Sequence, residues 1–567
     1  MYCPSMTRVV SFCSFLSATL LVIGLTAKAG AAMSYLDHVP MAILLSFPTT
    51  LLIVSLLLGL IACAGFSLFK SAHALHQLDG PRSSSLLLGH LQLFFDPIKG
   101  MTTQNELLST YGSVCKLKGV LGADQLWVSD PRAMHEILVK SHQQFLQPGS
   151  VTTWMELLIG PNVLTAIGHK HKTQRKILNP AFTATHMRNR FLIILVTPTI
   201  ATVCHKLQEI IKLKIQCQGE NTGVVDMFKW LNVAALEMMG QAGFGYSFDA
   251  LKPDAEEVAY LNASHDIRML IFKLWYITPI LPWLVRIGSA RFRRAIVQFL
   301  PLSSIQALRN AVDILSVVAV KIYHLKKEES DKLKLDSDGQ CGRDVMSSLL
   351  LQNNMVAPQE AMDEEEIISE VNALILAAHE STSAALARVI QVLAEHPDIQ
   401  SKLRNEIREA HDAYGEELSY DQLNSLSYLD AVCRESLRLY APAPFLIRVA
   451  QEDWTIPLLY PGKSSSGEET ITQVPVKKGS FIYLSLDGAN RDKRTWGEDS
   501  NVFRPSRWMD PAPLSLQASR MPGIYSSLMT FSGGPRACMV RHLLQWLQVF
   551  AVGNEIITCK VGLILQI

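Results

Sequence analysis

The sequence predicts a mainly α-helical fold with a minor β component, entered from one or two N-terminal membrane-spanning helices. Three observations predict it. Two long uncharged apolar stretches open the chain, at residues 9–27 and 39–69. Helical periodicity of apolar residues then dominates, as in 399–413 and 428–439. Strand-like stretches are few and short: 113–117, 125–128 and 480–486.

A helix needs about 20 apolar residues to cross the hydrocarbon core of a bilayer. The second stretch is ample and the first is marginal. Either the first is a signal-like segment and the second the anchor, or both span as a hairpin with Arg8 and Lys70 on the cytoplasmic side. Residues 1–75 are therefore expected to be a membrane anchor. Asp79-Gly80-Pro81 and Gly89-His90 punctuate the chain like a linker. Residues 76–567 are expected to form one large helix-rich domain, since neither repeats nor low-complexity tracts interrupt them.

Composition excludes several functions. The formal net charge of +1 in 567 residues argues against nucleic acid as a partner. Ten cysteines are scattered with no CxxC pair, which disfavours a zinc site and a disulfide scaffold.

One cysteine has an unusual setting, Phe531-Ser-Gly-Gly-Pro-Arg536-Ala-Cys538. Gly533 and Gly534 permit positive φ, so the chain can turn tightly against a flat ligand. Arg536 offers planar donors that suit a carboxylate. Cys538 precedes a predicted helix at 542–550, whose N-terminus would stabilise a thiolate, as an anionic sulfur ligand to iron requires. Three further groupings stand out. Glu435 and Arg438 share a face of a predicted helix, and Arg507 follows in Phe503-Arg-Pro505-Ser-Arg507-Trp508. Glu380, Ser381 and Thr382 lie inside an apolar helix at 367–393, where an acid beside two hydroxyls is costly unless it works or is satisfied. His171 and Arg175 are four residues apart on one helix face.

These motifs, in this order and spacing, resemble the cytochrome P450 family over about residues 80–539. The cysteine run is similar to that family's F-x-x-G-x-R-x-C loop. The resemblance implies that Cys538 is the axial ligand of a haem b (iron protoporphyrin IX), bedded in a loop with Phe531 and Gly534. It further implies that Arg175, Arg448 and Arg536, helped by His171, hold the haem propionates. Glu435, Arg438 and Arg507 take the family's structural role in the haem-side core. Glu380 as acid and Ser381 as alcohol, with Thr382 beside them, would pass protons to iron-bound oxygen, while His379 occupies a variable packing position. Leu374, Ala377, Phe445 and Leu446 are expected to line the substrate pocket. The family reading carries a monooxygenase activity with O2, an apolar small-molecule substrate and electrons from NADPH through NADPH–cytochrome P450 reductase. It places the catalytic domain on the cytoplasmic face of the endoplasmic reticulum, against membrane lipid.

The sequence also departs from the family pattern. Ala378 replaces a glycine and Ser381 a threonine, so looser proton delivery is expected. Val540 stands where a small residue is usual, and the segment from 540 to Ile567 does not resemble the family's terminal hairpin. An incomplete pocket is therefore expected, and a catalytically impaired or non-catalytic membrane-anchored protein of the same fold is the alternative. A peroxide-rearranging relative that needs no reductase fits less well, because such relatives tend to lack the acid–alcohol pair.

Overall fold

The computed structural model describes residues 75–541 except 84, 86–87, 95, 97–99, 184–196, 218–222, 253–257, 275–276, 279–280, 336–343 and 416–417. The two expected membrane stretches and the expected helix at 542–550 lie outside the described residues. One compact unit, Ala74–Val120 with Asp124–Ile567, holds every element named below.

Seven of the described helices are α1 (Gly168–Leu178), α2 (Met227–Met238), α3 (Ala259–Lys273), α4 (Ser303–Leu335), α5 (Glu364–Glu395), α6 (Pro397–Tyr414) and α7 (Ser427–Leu439). α5 is the spine. Asp363 caps it by accepting from the Glu366 N–H at 2.9 Å, and three glutamates in its first turn favour the positive end of the helix dipole. It ends at His396, where Pro397 takes the first position of α6, a place where proline's missing N–H costs nothing. α5 packs against α2, α4 and α7, and α3 packs along α4. Val371, Ile375, Leu386 and Val389 are fully or almost fully buried on α5, each contributing about 1.5–3 kcal/mol of apolar burial. By length and hydropathy α5 could cross a membrane, but most of it is buried in protein.

The sheet component is small. β1 (Val114–Lys118), β2 (Asp124–Val128), β3 (Phe145–Leu146), β4 (Phe445–Ala450) and β7 (Phe481–Ser485) form a five-stranded sheet in the order β1-β2-β7-β4-β3. Only β2 and β7 pair in parallel, with Trp127 opposite Tyr483. β5 (Trp454–Lys463) and β6 (Glu469–Val476) form a separate antiparallel hairpin. The expected strands thus exist as β1, β2 and β7. The sequence reading passes over β5 and β6 because Pro457, Pro461 and Gly462 interrupt the pattern there, and the pair accommodates them with register shifts.

Candidate active site

Four segments bring their polar residues to one cavity: α1, α5, β4 and the cysteine loop. His171 and Arg175 from α1, Arg448 from β4, and Phe531, Arg536 and Cys538 from the loop all line it. Leu374, Ala377 and Ser381 of α5 and Leu446 of β4 line it too.

The cysteine loop is shaped by close packing. Gly534 adopts φ 71°, and a Cβ there would fall 2.0 Å from the Leu138 carbonyl oxygen, so only glycine fits. The other positive φ belongs to Ser532 (φ 60°), whereas Gly533 is extended at φ −146°. Gly533 is needed for proximity instead, since a Cβ would meet the Pro522 carbonyl oxygen at 2.4 Å. The Cys538 N–H donates to the Phe531 carbonyl at 3.0 Å, which closes the loop. Burial pushes the Cys538 thiol up; the N–H groups of Val540 and Arg541, with the charges of Arg175 and Arg541, act in the opposite direction and favour the thiolate. Val540 itself is buried and lines the cavity.

Arg175, Arg448 and Arg536 have no acidic partners among the described residues. Arg175 donates to the Ala537 carbonyl at 2.9 Å, Arg448 to the Ile447 carbonyl at 2.9 Å, and Arg536 to Gln147 Oε1 at 3.3 Å and to the Ala166 carbonyl. Burial lowers the pKa of all three, and mutual repulsion lowers it further for Arg448, to about 10, and for Arg536. Burial, then Arg536 and Arg175, brings His171 down to about 4. One buried and two half-buried guanidiniums that repel one another call for anionic groups between them. A flat apolar ligand with carboxylates at its edge and a metal that accepts one sulfur fits this donor set.

Glu435, Arg438 and Arg507 form a different arrangement, away from the cavity wall. Arg438 makes two bonds to Glu435, at 2.8 and 2.9 Å, and donates to the Asn490 and Ser500 carbonyls. Arg507 reaches Glu435 at 3.4 Å and Asp499 at 3.0 Å, and Trp508 donates its indole N–H to Glu435 at 2.9 Å. Every charge in this buried group is answered.

On α5 the structure separates the three residues expected to act together. Ser381 lines the cavity, its hydroxyl donating to the Ala377 carbonyl at 2.7 Å. Glu380 turns toward α3, where Arg268 lies 3.7 Å away; burial raises its pKa and Arg268 opposes the rise. Thr382 is buried, off the cavity wall, and donates to the Ala378 carbonyl at 2.6 Å. The physical reason is the helix itself, whose successive side chains point about 100° apart. His379 is fully buried, bonds the Ile375 carbonyl at 2.9 Å and packs edge-on against Tyr260.

Leu374, Ala377 and Leu446 line the cavity as expected, but Phe445 does not. Adjacent strand residues face opposite sides, so Leu446 and Arg448 share the cavity face while Phe445 packs against Trp127 and Tyr483 behind it. The sequence reading misses Gln147 and Val163, which come from a loop and its approach with no motif to mark them. It also passes over Glu370, an acid in the apolar run 367–378, whose placement is the one signal that could have marked it.

The Cytochrome P450 family model matches residues 80–543. Among curated relatives, Cytochrome P450 monooxygenase 212 of Postia placenta is 37% identical over 469 residues, covering 82% of this chain and 84% of the relative. Monooxygenase 219 of the same fungus is 36% identical, covering 86% and 89%. A ganoderic acid synthetase of Ganoderma lucidum is 36% identical, covering 76% and 78%. Set beside a cavity that joins one cysteine sulfur to three arginines without acidic partners among the described residues, this similarity makes the chain a member of the cytochrome P450 family and an oxidoreductase, a monooxygenase.

Proposed function

We propose that the chain is a membrane-anchored haem-thiolate monooxygenase of the endoplasmic reticulum. It takes electrons from NADPH through NADPH–cytochrome P450 reductase and inserts one atom of O2 into an apolar substrate. The observation that carries this reading is the cavity itself, lined by Cys538, by buried Arg448 and half-buried Arg175 and Arg536 without acidic partners among the described residues, and by Leu374 and Ala377 of α5. The relatives' names as monooxygenases do not favour the non-catalytic alternative.

Haem b, when bound, supplies the oxygen-activating redox chemistry. Cys538 would be its sulfur ligand, with the N–H groups of Val540 and Arg541 favouring the thiolate against the burial that pushes the thiol up. Arg175, Arg448 and Arg536 would pair with the two carboxylates, with neutral His171 donating a hydrogen bond. Gly534 and Phe531 shape the loop so that the sulfur can approach a flat ring. Leu374, Ala377 and Leu446 exclude water and orient an apolar substrate.

Ser381 is the cavity-wall group that can hand on a proton, since its Oγ keeps lone pairs free to accept a replacement. Glu380 is the nearest acid in sequence and would resupply it from the α3 side, after releasing Arg268. Thr382 bonds the helix backbone and is assigned no proton. Reconstitution with the reductase in lipid tests the reading: substrate-dependent NADPH oxidation, with one 18O atom from labelled O2 in the product, is expected. NADPH use that no apolar compound stimulates, with no labelled product, contradicts it.

A further inference from the structure

α5 presents one stripe to the cavity. Leu374, Ala377 and Ser381 line it, and helical spacing puts position 370 in the same stripe, one turn before Leu374. That position is Glu370, which has no exposed surface and lies behind the cavity wall, joined to it through Val163. Its Oε1 accepts from the Val163 N–H at 2.6 Å, and Val163 itself lines the cavity. Its Oε2 is buried without a hydrogen-bond partner among the described residues.

A tether to Val163 needs only one oxygen. The second is left with its hydrogen-bonding capacity unused, which costs free energy unless a partner arrives. Burial raises the pKa of this carboxyl to about 8, with the Val163 N–H, Glu366 and Lys170 as smaller influences. Burial thus favours the neutral acid, and because Oε1 accepts from the Val163 N–H, Oε2 is the oxygen placed to donate.

We propose that Glu370 is a specificity-determining residue that hydrogen-bonds the one oxygen function of an otherwise apolar, elongated substrate. The helix rises about 16 Å from 370 to 381, at about 1.5 Å per residue. The substrate class is therefore a hydrocarbon chain or fused-ring skeleton with a carbonyl or hydroxyl oxygen about that far from the carbon held beside Ser381. This inference rests on the monooxygenase reading given above.

The test uses the full chain loaded with haem, checked first by its reduced carbon monoxide spectrum. It is then titrated with n-alkanes and the matching 2-alkanones, from eight to eighteen carbons, following the Soret shift. Wild type is expected to bind the best-fitting ketone about fivefold to tenfold more tightly than its alkane. Glu370→Leu is expected to bring that ratio close to one. Glu370→Gln, whose amide still donates and whose oxygen still accepts from Val163, is expected to keep most of it. Equal affinities of ketone and alkane at every length in wild type overturn the proposal without recourse to any variant. So does a leucine variant that weakens both probes equally, which is what a loop tether alone would do. A wild-type chain with no haem signal removes the monooxygenase reading and this inference with it. A haem-loaded chain that answers to none of the probes overturns only the substrate class.

Discussion

Two groups of arginines withdrawn wholly or partly from solvent lie in this molecule, and they are in opposite circumstances. Arg438 and Arg507 are surrounded by Glu435, Asp499 and backbone carbonyls, so each charge is neutralised within the fold. Among the described residues, Arg175, Arg448 and Arg536 hydrogen-bond carbonyls and one amide and meet no carboxylate. The same residue type is thus a strut in one place and a waiting half-site in the other. A buried cation completed by its own chain belongs to the architecture, and one left incomplete belongs to a ligand.

This contrast can be broken most sharply by leucine at one arginine of each group. Arg438→Leu removes two hydrogen bonds and one cation from Glu435 in a dry core, and a loss of about 3–5 kcal/mol in unfolding free energy is expected in denaturant titration. Arg448→Leu relieves repulsion, so the haem-free protein is expected to keep or gain stability, while haem affinity falls about tenfold, or about 1.4 kcal/mol, in a haem-transfer assay. Equal losses of stability in the two variants would erase the distinction.

A second division runs along α5, between Ser381 on the cavity and Thr382 on the core side. Ser381→Ala is expected to raise peroxide release per NADPH consumed several-fold with little change in stability. Thr382→Val is expected to leave that coupling intact, at a cost of about 0.5–1.5 kcal/mol in stability. The smallest effect concerns pH. The folded-state pKa of Glu370 is raised above the ordinary carboxylate value to about 8, so the folded state binds the proton more tightly. Between about pH 4.5 and 8 the unfolded chain has lost a proton that the folded chain keeps, so stability falls as pH rises through that window. Glu370→Gln is expected to flatten this slope in pH-dependent melting, with Glu366 and Lys170 left as they are.

Much of the site is legible in the amino-acid sequence. Cys538, Arg536, Glu435 and Arg438 sit in short runs where glycine, cation and acid have few other reasons to coincide, and the structure brings each group together. What is not legible depends on direction. A contiguous reading of 380–382 cannot tell which of three neighbours on a helix faces the cavity, nor can a reading of 445–446 do so on a strand. Gln147 and Val163 reach the cavity through loop conformation, which no periodicity encodes. β5 and β6 escape notice because their prolines are tolerated by a hairpin packed outside the main sheet.

The reduced carbon monoxide difference spectrum of the full chain, beside Cys538→Ala, tests the central claim most directly. A strongly red-shifted Soret band in wild type, absent from the variant, is the predicted result. A wild-type band at the position of a neutral ligand, or one that survives loss of the cysteine, would contradict the assignment of Cys538 as the iron's thiolate.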